Sequence, residues 1–455
     1  MTIARAPVVG GLAITALVAG AAPAAAHGLG GRSDLPLPVW MFAYGAAAVL
    51  VLTFAALAAL WRRSRLEGGV KGSALLAVAS GPGRVLAGLG RAVGLAAFGV
   101  VLVAAATGAD ATAQNIAPVF VYVVFWVGMI LISTLVGDLW RVVSPFATLA
   151  ASIAVVRGAG RARRPYRGGY WPAAGLLFAF VWMELVYPDR AEPRQLAAAI
   201  TVYTVVVLAG AARWGRDWLR QGEAFAAFFG VLAHMAPLYV GGDGRLRARP
   251  PLAGLATLER RPGLEALVLV ALGSTTFDGV TRTRIWLDLT DQLSGNALTG
   301  VSTLGLVWSV ALVALAYTAA MRATGRLLDR DAAELASAFV HTLVPIAFAY
   351  ALAHYFSLFV FEGQTALALA SDPLGRGWDL FGTATRAIDF TALSTTTIAY
   401  VQAGGIVAGH VGGVLLAHDR ALALFPRGQA TRSQYPLLMA MVLFTVGGLA
   451  LLLGT

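Results

Sequence analysis

Few side chains in this chain can do acid–base or metal chemistry within its apolar stretches, and those few recur near the ends of apolar runs. Four of the six histidines occupy two late runs, His341 and His354 on one, His410 and His418 on the next. Asp278 closes the segment LGSTTFDG, and Asp372 opens SDPLGRGWDLFG with Arg376, Trp378 and Asp379 close behind. An ionisable group inside hydrocarbon is costly, which makes each a functional candidate. Neutral imidazole and carboxylate together suit zinc or copper. His354 and His410 are therefore candidate metal ligands. Asp278 and Asp372 are candidate catalytic carboxylates, as general base or as the group that positions water. Two other readings stay open: histidines that hydrogen-bond between helices, and Asp278 in a local Asx turn where a short helix ends at Gly279.

Haem ligation is disfavoured by helical geometry. At about 100° per residue, the step from His341 to His354 puts the two on faces roughly 140° apart. The step from His410 to His418 spans only about 12 Å, too little for two membrane-spanning haems. The chain has no cysteine, which excludes disulfides, iron–sulfur clusters, thiolate zinc and covalent c-type haem. It also lacks a G-x-x-x-x-G-K-[ST] loop, H-E-x-x-H and G-x-S-x-G. No nucleotide cofactor is expected.

The N-terminus reads as a secretory signal peptide over residues 1–26. Arg5 precedes an apolar stretch from Val8 to about Ala19, and Ala22-Pro23-Ala24-Ala25-Ala26 supplies small residues for cleavage after Ala26. Cleavage there would leave His27 at the mature N-terminus, where a free amine beside an imidazole chelates copper or zinc. His27 is thus a third candidate metal ligand.

The elements that must position these groups are apolar helices. A composition of 58% hydrophobic and 13% charged residues, with mean hydropathy +0.74, cannot be wrapped in a water-soluble surface. The expected fold is all-α, one polytopic transmembrane bundle over 27–455. At about 20 apolar residues per span, ten crossings are predicted near 37–61, 89–107, 118–137, 171–187, 196–213, 301–321, 335–361, 397–418 and 435–453, with a weaker one near 263–277. The net charge of +11 comes from 33 arginines and Lys71, spread over the joints between spans. It therefore reads as topology, with the lipid bilayer as partner and no nucleic acid.

Treating 224–240 as re-entrant or interfacial puts the joints carrying Arg62–Lys71, Arg157–Arg167, Arg245–Arg261, Arg322–Arg330 and Arg420–Arg432 on the cytoplasmic face. The protein is then expected in a bacterial cytoplasmic (inner) membrane, with its mature N-terminus outside. Residues 27–36, 187–195, 278–300 and 362–396 become outer segments. The last is long for a compact bundle, and is either a lid over a site or a cap. Glu184 lies near this face, where Arg190 or Arg194 can pair with it. Gly405, Gly409 and Gly413 form a small-xxx-small ladder that predicts close helix packing.

Six segments together, AHGLGGRSDLPLPVW (26–40), ELVYP (184–188), STTFDG (274–279), AHYFS with EGQ (353–364), SDPLGRGWDLFGT (371–383) and HVGGVLLAHDRAL (410–422), resemble a family of multi-span bacterial membrane proteins, many of them actinobacterial, named fenitrothion hydrolase. The resemblance covers nearly the whole chain. It implies hydrolysis of a small apolar phosphotriester with release of a phenol, normally by metal-assisted attack of water. From the residues alone, a transporter or channel for protons or a small solute stands beside this, with 224–240 and His234 as part of a gate. A membrane scaffold is the remaining class.

Overall fold

The computed structural model describes residues 38–67, 72–77, 81–156 and 164–453. The expected signal segment, its expected cleavage point, His27 and Lys71 lie outside the described residues. The apolar runs form helices because backbone polar groups without water must bond within their own segment. In chain order these are α1 (Val39–Leu60), α2 (Gly81–Thr107), α3 (Ile116–Leu135), α4 (Pro145–Val156), α5 (Trp171–Leu185) and α6 (Pro193–Trp214). After them come α7 (Ala224–Leu232), α8 (Leu264–Thr281), α9 (Gly295–Leu328), α10 (Ala332–Ser371), α11 (Thr395–Leu424) and α12 (Tyr435–Leu453). Among the described residues nine helices are long and apolar enough to cross a membrane. The architecture is an all-α, multi-pass membrane bundle. The tenth expected span, α5, is apolar but has 15 residues, about 22 Å of rise.

A three-stranded sheet is the element the apolar pattern did not predict. β1 (Ser73–Ala77), β2 (Leu238–Val240) and β3 (Arg245–Ala248) form an antiparallel sheet in the order β1-β3-β2. Its strands are too short and too mixed in polarity to register in a search for spans. The β2–β3 turn forms at Gly241–Gly244, where Gly244 takes φ +70° and the Gly241 N–H donates to the Arg245 carbonyl at 2.9 Å.

The sheet decides how 224–240 runs. It ties the joint after α1 to the segment after α7, so both lie on one side of the bundle. Between them stand α2, α3, α5 and α6, an even number that returns the chain to the side it left. One more crossing at 224–240 would part the strands, and α7, at nine residues, spans only about 13 Å. A short α7 whose chain returns to the sheet side fits the re-entrant or interfacial course expected for 224–240.

Both ends of α7 find partners inside the protein, as a helix end shut away from water must. The Glu223 carboxylate caps its start, accepting from Phe225 N at 2.8 Å, Ala226 N at 2.7 Å, Trp140 Nε1 at 3.1 Å and the Tyr203 hydroxyl. At its far end Arg249 donates to the carbonyls of Ala233, His234 and Ala236, and its guanidinium lies 4.5 Å from the centre of the Tyr239 ring. Aromatic rings pack between these polar ends: Phe125, Trp126 and Trp140 each meet both Phe225 and Phe229.

On the sheet side, α11 fastens the joint that follows α1. The Asp419 carboxylate accepts from Trp61 Nε1 at 3.1 Å, the Ser64 hydroxyl at 2.9 Å, Arg65 N at 2.7 Å and Leu66 N at 3.1 Å. Next to it Arg420 donates to Glu67 at 2.6 Å. Burial pushes the Glu67 carboxyl up from its ordinary range, against the opposing pull of Arg420. His418 bonds the Gln434 side chain and the Trp61 carbonyl. The glycine ladder packs α11 on α10 as expected. A Cβ at Gly409 would stand 2.2 Å from Ala349 Cβ, and one at Gly413 would stand 2.8 Å from the Thr342 carbonyl.

Candidate functional site

Asp278 and His354 come together. Helix α8 runs on to Thr281, past the expected stop at Gly279, so Asp278 belongs to its last turn and not to a turn outside it. Continuation of the helix also sets Arg282 one turn beyond Asp278 on the same face. His354, at mid-length in α10, meets the Asp278 carboxylate through Nε2. Arg282 reaches the same nitrogen at 3.2 Å and lies 3.9 Å from the other Asp278 oxygen. Side-chain exposure falls from 58% at Arg282 to 14% at Asp278 and 5% at His354. The arginine therefore stands at the mouth and the imidazole at the floor.

Two partners on one ring nitrogen give that nitrogen two satisfied states. Protonated, Nε2–H donates to Asp278; unprotonated, its lone pair accepts from Arg282. An imidazole arranged in this way keeps one partner in either protonation state, Asp278 in one and Arg282 in the other, which suits a general base. The 353–357 motif supplies a second group, Tyr355, buried beside His354 with the two rings edge-on at 5.1 Å between centroids.

Glu184, from the last turn of α5, extends the cluster inward. It faces the Tyr355 hydroxyl, and the Asp278 charge acts on both. Arg190 also lies within electrostatic reach of Glu184. The alternative partner, Arg194, is paired elsewhere, with Asp110 at 2.8 Å. Across from Tyr355 stands Trp126, on a segment of α3, Phe120–Val127, wound as a π-helix. Such wide turns recur at functional sites.

The other sequence candidates among the described residues, His410 and Asp372, make their contacts outside this cluster. His410 is fully buried on α11; its Nδ1 contacts the Ile406 carbonyl at 2.9 Å and its ring meets Tyr350 edge-on. Its Nε2 has no hydrogen-bond partner among the described residues. Asp372 accepts from Arg376 N at 2.9 Å and Gly377 N at 2.7 Å, which shapes its own loop. That loop is shorter than expected, because α10 continues to Ser371 and takes in Glu362 and Gln364. Its first turn docks on the α2–α3 joint, where Ala109 N donates to the Leu374 carbonyl and Ile116 N to that of Pro373. Among the described residues no group of three histidine or acidic side chains is arranged to hold a metal ion.

Arg282, Tyr355 and Trp126 were missed in the sequence. Arg282 was legible in principle, since Asp278 and Arg282 have the i, i+4 spacing of a helical ion pair; ending the helix at Gly279 hid it. Tyr355 and Trp126 carry no signal apart from their neighbours. Comparison with known proteins adds no relative: no family model, no curated protein and no solved structure matches this chain.

Proposed function

We propose that this is a bacterial inner-membrane hydrolase of small apolar esters of the phosphotriester class, with its sheet side in the cytoplasm and the Asp278–His354 site open outward. The observation that carries the reading is the Asp278–His354–Arg282 constellation, a base with two charge partners at the mouth of an apolar bundle. The resemblance of the six sequence segments supplies the substrate class.

In the reaction, His354 Nε2 takes a proton from water as the water oxygen bonds to phosphorus. The bond from phosphorus to the aryloxy oxygen breaks, and the phenolate leaves with the proton that His354 returns. Asp278 steadies the imidazolium in between, and Arg282 faces the negative charge that builds on the phosphoryl group. A zinc or copper ion would find two ligands here, Asp278 and His354, where a catalytic zinc uses three. His27 would have to supply the third. The acid–base route needs only the chain's own groups.

The deciding experiment is release of a phenol from a phosphotriester by the detergent-purified protein, assayed with and without added zinc or copper. Turnover supports the reading; its absence under all conditions rejects it. Flux without turnover in proteoliposomes would select instead the proton or solute path that the half-buried Glu184 and the buried Tyr355 favour.

Orientation has its own test. The arginine-bearing joints 245–261, 322–330 and 420–432 gather with the sheet, and basic joints stay in the cytoplasm. A Pro250→Cys variant is expected to react with a membrane-impermeant thiol reagent only after the cells are opened, on a background free of native cysteine. Labelling from outside intact cells would invert the topology.

A further inference from the structure

The three-stranded sheet has two unlike faces. Strand residues alternate between faces, and the register sets Leu76 opposite Leu246 and Leu246 opposite Val240, so one face carries an apolar row across all three strands. Ala74, Arg247 and Tyr239 form a row on the other face. The polar row is bonded within the sheet: Arg247 donates to Asp243 at 2.7 Å and to the Gly72 carbonyl at 3.0 Å, and the Tyr239 hydroxyl accepts from Gly72 N at 3.2 Å. The apolar row is open at both ends. Leu76 is 60% and Val240 51% exposed, and Leu75, the extra residue where the β1 register shifts, is exposed as well. Apolar surface left open on an ordered sheet marks an interaction site.

Helix lengths place this sheet at the level of the lipid headgroups. At the end of the bundle away from the sheet, α2 and α3 lie side by side, where the Asn115 side chain donates to the Ala104 carbonyl at 2.8 Å. From there α3 runs for 20 residues, about 30 Å, which is the thickness of the hydrocarbon. Just past its end, a Cβ at Gly137 would stand 2.8 Å from the Leu238 carbonyl, so β2 starts where α3 leaves the hydrocarbon. Helix α2 has 27 residues and reaches about 10 Å farther. Only residues 78–80 separate it from β1. Its first turns expose Val85, Leu86 and Leu89, the lipid-facing side of a span, with exposed Arg84 among them. The open row of the sheet thus continues, at one level, the lipid-facing side of α2.

We propose that the Leu76–Leu246–Val240 face of the sheet lies against the bilayer, in the boundary between headgroups and acyl chains, and anchors there the chain that returns from α7. The opposite face, with Arg247 and the exposed Arg245, then meets water, the division of faces expected of an amphipathic element lying in a membrane surface. The placement holds whichever side of the membrane the sheet occupies, and it needs no turnover at Asp278 and His354. Its failure and that of the hydrolase reading are therefore told apart.

The test uses single-cysteine variants Leu76→Cys, Val240→Cys and Arg245→Cys of the full chain, which has no native cysteine. Each is labelled with a polarity-sensitive nitrobenzoxadiazole dye in nanodiscs of phosphatidylethanolamine and phosphatidylglycerol. A nitroxide carried near the headgroup end of the acyl chains is expected to quench the dye on Leu76→Cys and Val240→Cys about twofold or more above that on Arg245→Cys, and aqueous iodide to give the reverse order. Equal quenching of all three by iodide overturns the proposal. So does protection of Leu76→Cys and Val240→Cys from both quenchers, which would put protein on this face; a disulfide between two Leu76→Cys copies would name that protein as a second copy of the chain, paired along the edge of β1. The wild-type chain gives a check that no substitution can spoil. A cryo-EM map in the same nanodiscs is expected to show disc density reaching Leu76 and Val240, and a sheet standing clear of the disc overturns the proposal.

Discussion

His354→Ala is expected to lower phosphotriester turnover about 10²–10⁴-fold, the usual contribution of a positioned general base. It should also destabilise the protein by about 3–5 kcal/mol, because removing one member of a buried pair strands the other charge. Asp278→Asn is expected to lose turnover through the same pair at a smaller stability cost, since an amide needs no counter-charge. The informative variant changes both residues. Asp278→Leu combined with His354→Leu replaces the pair by apolar side chains, which is often neutral or stabilising in a buried setting. Its melting temperature should recover to near the wild-type value while turnover stays lost. Recovery of both would mean that the pair has no part in chemistry. Failure of the double variant to recover stability would mean that the pair holds the α8–α10 packing in a way leucine cannot.

The second large effect falls at the opposite end of the bundle. Asp419 is 1% exposed and accepts four hydrogen bonds from the joint after α1, two of them from backbone N–H groups. Asp419→Ala leaves those donors without a partner and is expected to cost on the order of 3–5 kcal/mol. Asp419→Asn keeps one acceptor oxygen and should lose less. The loss should also be local before it is global. Limited proteolysis is expected to cut near Arg62–Arg65 in the alanine variant and not in the wild type. An unchanged cleavage pattern would show that the four bonds are not what fastens this joint. Since the site at Asp278 stands at the other end, turnover measured below the melting transition should remain near normal.

Much of this architecture was legible in the sequence because lipid imposes a one-dimensional rule. A span needs a continuous apolar run, so composition and hydropathy alone fixed the all-α class and located every long helix to within a few residues, apart from the ends of α2, α8, α9, α10 and α11. The arginine-rich joints gave 224–240 as re-entrant or interfacial, and the sheet fits either course. Glycine spacing gave the α10–α11 contact, because close backbone approach leaves no room for a Cβ.

What the sequence left open depends on groups far apart in the chain. Asp278 and His354 were both candidates on the ground that an ionisable group inside a bundle needs a reason to be there. Nothing in their separation of 76 positions shows that they touch while His410 and Asp372 lie elsewhere. Helix rotation and tilt decide that, and these follow from side-chain packing over many helices at once. The same holds for Glu184, whose neighbours Tyr355 and Trp126 come from two other helices, and for β1, whose partner strand lies some 170 residues away. The sequence by itself determined a multi-pass membrane bundle and a short set of polar residues worth attention. Only the tertiary structure decided which of those residues share a site, because hydropathy is a property of each segment alone and a site is a property of how segments meet.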